Sequence, residues 1–81
     1  MRPDEELAGA VTGRAHWRLE GAAAVYAPPG SVSTVRVVAV PGGGHRERFR
    51  AIVVRAGQAR HSRPAGTAVE AVSWAERIQL G

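Results

Sequence analysis

Ser33-Thr34-Val35-Arg36-Val37-Val38-Ala39-Val40-Pro41-Gly42-Gly43-Gly44-His45-Arg46-Glu47-Arg48-Phe49-Arg50-Ala51-Ile52-Val53-Val54-Arg55-Ala56 is the stretch on which the fold turns. Two runs rich in β-branched residues, 33–40 and 46–56, flank Pro41-Gly42-Gly43-Gly44, a strand–turn–strand pattern that predicts an antiparallel hairpin. In the second run Phe49, Ala51 and Val53 alternate with Arg48 and Arg50, so one face of that strand is apolar. Val37-Val38-Ala39-Val40 and Ile52-Val53-Val54 are apolar at successive positions, which puts aliphatic surface on the opposite face as well.

Upstream, Trp17 and Leu19 alternate with Arg18 and Glu20, giving a strand over 16–27 with Gly21 read as a bulge or bend and Pro28-Pro29-Gly30 as the closing turn. Downstream, residues 57–66 are polar and basic and read as a loop with residual strand character. Thr67-Ala68-Val69-Glu70 then has the form of a capping box, and Ala68, Ala71, Val72, Ala75 and Ile78 repeat with helical spacing, so the pattern predicts an amphipathic helix over 67–80. At the other end Pro3, three acidic residues and Gly13 frame a short helix over 2–13, with Leu7 and Val11 on one face. A helix of that length is unstable alone and either docks through those two residues or frays. The expectation is an α+β fold in which a three-stranded antiparallel β-meander packs on a C-terminal α-helix. Residues 1–13 form an acidic N-terminal arm and 14–81 a single small domain.

Eighty-one residues can bury only one thin core, since a chain near this size removes about 60–65% of its unfolded surface from water. One helix covers one face of a sheet, so the second aliphatic face needs the N-terminal arm, another copy of the chain or a partner. A homodimer or protein partner is expected there, with Val38, Val40, Ile52 and Val54 as its interface. The absence of cysteine removes disulfides, thiolate metal sites and thiol nucleophiles. The acidic start leads into no apolar stretch and no 18-residue apolar run follows, so neither a signal peptide nor a membrane span is expected, and a cytoplasmic location is. Ala, Gly, Arg, Val and Pro dominate while Lys and Asn are absent, as in a GC-rich, actinobacterial type of genome.

Net charge is +4 but unevenly placed: residues 1–13 carry −2, and 36–63 hold seven arginines against Glu47 alone. Arg46, Arg48 and Arg50 alternate and would share a strand face, and with Arg55, Arg60 and Arg63 they form the expected phosphate-contacting set of a nucleic-acid-binding hairpin. Phosphate contact through several arginines gives strong salt dependence and little sequence discrimination. His16, His45 and His61 lack metal-ligand spacing, the serines lack a nucleophile elbow, and the carboxylates are scattered, so no metal, no cofactor and no enzymatic activity are expected. The glycine run lacks the Lys and Ser/Thr of a phosphate-binding loop and reads as a hairpin connection. Trp17 and Phe49 are placed by alternation under the C-terminal helix, beside Trp74.

From Val35 to Gln79 the order of strand, Gly-rich turn, strand opening on Arg46-Glu47-Arg48-Phe49-Arg50, basic loop and Gly66-Thr67-Ala68-Val69-Glu70-Ala71-Val72-Ser73-Trp74-Ala75 resembles the N-terminal arm-type DNA-binding domain of tyrosine recombinases. That resemblance implies a three-stranded sheet lying in the DNA major groove, with Arg46, Arg48 and Arg50 turned toward DNA. The order helix, three strands, helix is also similar to double-stranded-RNA-binding domains, whose basic cluster at the last helix is replaced here by Ala65-Gly66-Thr67-Ala68-Val69. Two functions fit these features. One is a non-enzymatic nucleic-acid-binding module acting through the hairpin. The other is a homo-oligomeric interaction or assembly subunit, of phage or mobile-element type, using the valine-rich face.

Overall fold

A computed structural model describes residues 2–78. The elements are α1 (Pro3–Val11), β1 (Trp17–Glu20), β2 (Ala23–Tyr26), β3 (Ser33–Ala39), β4 (Phe49–Arg55), β5 (Gln58–Ala65) and α2 (Ala68–Arg77). The strands form a single antiparallel sheet in chain order, β1-β2-β3-β4-β5. The class is α+β as expected, but the meander has five strands rather than three. No helix among the described residues is long and apolar enough to cross a membrane.

Both additional strands arise from two-residue turns. Gly21 takes φ 59 and Glu20 pairs with Ala23, so Gly21-Ala22 reverses the chain where a bulge or bend within one long strand was expected. A positive φ at the first central residue, supplied by glycine, matches the twist of the flanking strands. Ala56 (φ 53) and Gly57 (φ 76) both take positive φ, and Arg55 pairs with Gln58, so the basic segment after β4 is an ordered edge strand and not a loop. Ala56 is strained there because its Cβ crowds the backbone. Ala56→Asn, which creates the Asn-Gly pair this turn type favours, is expected to stabilise by about 0.5–1 kcal/mol. Thermal unfolding by circular dichroism checks it: the midpoint should rise by several degrees, and a lower midpoint would contradict the turn assignment.

β4 begins at Phe49, three residues later than expected, because the chain from Val40 to Arg48 folds into consecutive turns. Gly43 N–H donates to the Val40 carbonyl (3.2 Å) and Glu47 N–H to that of Gly44 (3.4 Å). A side chain at Gly43 would run into the Glu47 carbonyl, so only glycine lets the loop close this tightly.

The register places Val35 opposite Val53, Val37 opposite Ala51 and Ala39 opposite Phe49, and these residues form the core-facing side, all buried except the half-buried Ala39. Ala24 joins them from β2 and Ala65 from β5. α2 lies on this face through Ala68, Ala71 and Ala75, whose small side chains allow close approach, and Val72 is buried on the same helix. Thr67 caps α2, its hydroxyl accepting from Glu70 N–H at 3.1 Å, as the capping pattern predicts. The helix ends at Arg77; the last two positions of the expected helix, Gln79 and Leu80, lie outside the described residues.

α1 docks instead of fraying, and it docks on the same face as α2. Leu7 is its one fully buried residue and belongs to the core, with Ala10 and Val11 packed against it. The arm therefore does not cover the sheet's other face. On that open face Val38, Ile52 and Val54 stay half-buried beside Arg36 and Arg50, while Val25 is 2% exposed. Val40, expected in the same row, lies past the end of β3 in a cleft between the glycine loop and Pro3.

Candidate nucleic-acid interface

The arginines divide by what they touch. Arg48 precedes β4 and is a brace: its guanidinium meets both carboxylate oxygens of Glu6 (2.6 and 3.4 Å), donates to the Gly66 carbonyl (3.1 Å), and sits 5.2 Å from the centre of the Phe49 ring. Glu6 in turn accepts the Ala68 backbone N–H at 2.9 Å. One carboxylate from α1 thus supplies negative charge to the N-terminus of α2 and ties both helices to β4. This removes Arg48 from the row expected to face a phosphate backbone.

The hydrogen bond from Arg48, and after it that from Ala68, holds the Glu6 carboxyl below its ordinary value of 4.5. A carboxyl with a depressed folded-state pKa stabilises the fold fully above its unfolded value, and that contribution is lost as pH falls through the folded value. Glu6→Gln is expected to lose about 1–2 kcal/mol at neutral pH, as for loss of a charged cap. It should also show a shallower loss of stability below pH 4.5 than the parent. Urea midpoints for both proteins from neutral pH downward check this, and parallel curves would contradict the brace.

Four further arginines are paired with acids. Arg18 (2.6 Å) and Arg36 (3.1 Å) both hold Glu20 on the open face, and these two contacts lower the Glu20 pKa, Arg18 foremost. Arg14 pairs with Glu76, whose other oxygen accepts the Trp17 indole N–H at 2.8 Å, so β1 is tied to α2. Arg50 pairs with Glu47 and donates to Ser62 Oγ at 2.7 Å.

Of the six arginines expected to contact phosphate, Arg46, Arg55, Arg60 and Arg63 have no carboxylate partner among the described residues, and all four are exposed. Arg46 lies in the loop before β4, remote in register from Arg55 at the strand's far end. Arg46, Arg48 and Arg50 therefore do not form one row. Arg60 and Arg63 sit on β5, which is exposed along Gln58–Pro64 and is the free edge of the sheet.

The ladder explains where the β5 side chains go. Val53 pairs with His61 but Val54 pairs with Ala59, so Arg60 is the extra residue of a bulge. A bulge twists the strand and re-aims its side chains. Arg60 lines a shallow depression with Arg50, Ile52, Ala59, His61 and Ser62. His61 and Arg63 oppose Val53 and Ala51, which places them on the helix-bearing face. The His61 ring packs 5.7 Å from that of Trp74 on α2, tilted by 39°. Sequence reading missed this seam because it treated 57–66 as a loop, which conceals which residues alternate.

Phe49 is fully buried under α2 as expected, and Trp17 packs half-buried against the core while stacking on Tyr26 at 5.0 Å. Among the described residues no three His, Asp or Glu side chains converge as metal ligands. The cleft of about 350 Å³ beside the glycine loop is lined mainly by Pro3, Ala39, Val40 and the glycines, with Arg48 its one charged side chain. No family model, no curated protein and no solved structure matches this chain.

Proposed function

We propose that the protein is a small non-enzymatic binding module that holds a nucleic-acid backbone along the β4–β5 hairpin, with Arg55, Arg60 and Arg63 as the principal phosphate contacts. The observation that supports this is that Arg60 and Arg63 on the edge strand β5, and Arg55 at the adjoining end of β4, are exposed with no acidic partner among the described residues, while Arg48 and Arg50 are engaged with Glu6 and Glu47. The same edge is poorly suited to extending the sheet. A bulge, two arginines and Pro64 all oppose strand addition there.

Filter-binding titrations on duplex DNA and RNA test the reading. Three neutralised phosphates predict a log–log salt slope of about −2.7, so affinity should fall roughly 40-fold between about 50 and 200 mM salt. Arg63→Ser should reduce the slope by about one, and Arg48→Met should weaken the fold while leaving the slope unchanged. Affinity no better than about millimolar at about 50 mM salt would end the proposal.

The open face favours a second reading, a homo-oligomeric interaction subunit. With both helices on the opposite side, Val38, Ile52 and Val54 are only partly covered within the chain. Sedimentation equilibrium decides it: twice the 8.5 kDa chain mass supports an assembly role, and a monomer at high concentration removes it.

A further inference from the structure

We infer, resting on the nucleic-acid reading above, that the seam between β5 and α2 binds a single-stranded segment, one base stacking on His61 and the flanking phosphates meeting Arg63 and Arg77. β5 and α2 are joined by the short link Gly66-Thr67 and run back along each other, so Trp74 comes beside His61. Arg63 lies two residues along the strand on the same face as His61, and Arg77 lies one helical turn beyond Trp74. The seam thus reads Arg63, then the His61–Trp74 pair, then Arg77. Arg63, His61 and Arg77 are all exposed, and Trp74 is half-buried. Glu70, also exposed, bounds the seam at the N-terminal end of α2.

The ring pair does more than cover the core. Trp74 packs against the imidazole at a tilt, and the His61 residue stays exposed to solvent, with an exposed arginine two residues along its strand and another one turn along the helix from Trp74. An aromatic surface between cations is the arrangement that sequence-tolerant single-strand binders use, where bases stack and arginines track the backbone. A duplex keeps its bases stacked inside and could offer this seam only phosphates. The occupant that uses both features is an unpaired strand.

The test uses the full chain with Trp17→Phe, which leaves Trp74 as the one tryptophan, titrated with oligodeoxythymidylate and with a duplex of equal length. The single strand is expected to bind more tightly and to change Trp74 emission. His61→Ala should weaken single-strand binding about 5- to 100-fold, the usual worth of one stacked base, and leave duplex binding unchanged. His61→Phe, which restores a stacking ring, should recover the single-strand affinity. If His61→Ala lowers both affinities alike, or neither, the seam assignment is overturned while phosphate binding stands. If neither nucleic acid binds, the broader reading fails and this one with it.

Discussion

Phe49→Ala is expected to cost about 3–5 kcal/mol, much of the stability available to a domain of this size. Phe49 is the largest fully buried side chain among the described residues, and apart from Leu7 the rest of the buried apolar core is built from alanines and valines that cannot expand to fill the space it would leave. Arg48 also rests against the ring, so truncation loosens the brace to Glu6. Urea unfolding followed by circular dichroism should show a midpoint lowered by at least about 2 M, given slopes near 1 kcal/mol/M for small domains. A loss under about 1 kcal/mol would mean that the β4–α2 contact is not the centre of the core.

Leu7→Ala should be nearly as damaging, about 2–5 kcal/mol. α1 has nine residues, too few to hold a helix in water unaided, and Leu7 is its only fully buried side chain. Undocking α1 withdraws Glu6 from Arg48 and from the first turn of α2, so one truncation removes an apolar anchor and an electrostatic one. Hydrogen exchange should lose protection at Glu6–Val11 and also at the start of α2. Were exchange at α1 already fast in the parent and the midpoint unmoved in Leu7→Ala, α1 would be a dispensable arm and not part of the core.

What could be read from the sequence was whatever carried a local signal. Thr67 before the alanine stripe marked α2, and Pro3 with its acidic neighbours marked α1. Phe49, Ala51 and Val53 marked the buried side of β4. β5 carried no such signal, since Gln58 to Pro64 are all exposed and no apolar alternation exists to betray a strand. It is held by its ladder to β4, a long-range property. The two reversals were hidden because Gly21-Ala22 and Ala56-Gly57 lack the Asn or Asp that announces tight hairpins. The interface suffered for the same reason. Alternation along 46–50 suggested a row of arginines, but the turns after Val40 carry Arg46 and Arg48 out of the strand, and Glu6, 42 residues away, claims Arg48. Of the two aliphatic faces that the valine pattern implied, both helices lie on one, and Val38, Ile52 and Val54 lie half-buried on the other.

The most direct test of the interface is a nitrogen-15 NMR titration of the intact protein with a short single-stranded oligonucleotide. Shifts should concentrate at residues 55–63, at Arg77 and at the Trp74 indole N–H, while the Trp17 indole, held by Glu76, stays in place. Shifts centred on Val38, Ile52 and Val54, or no shifts at millimolar oligonucleotide, would contradict the assignment of the β5 edge as the surface that meets nucleic acid.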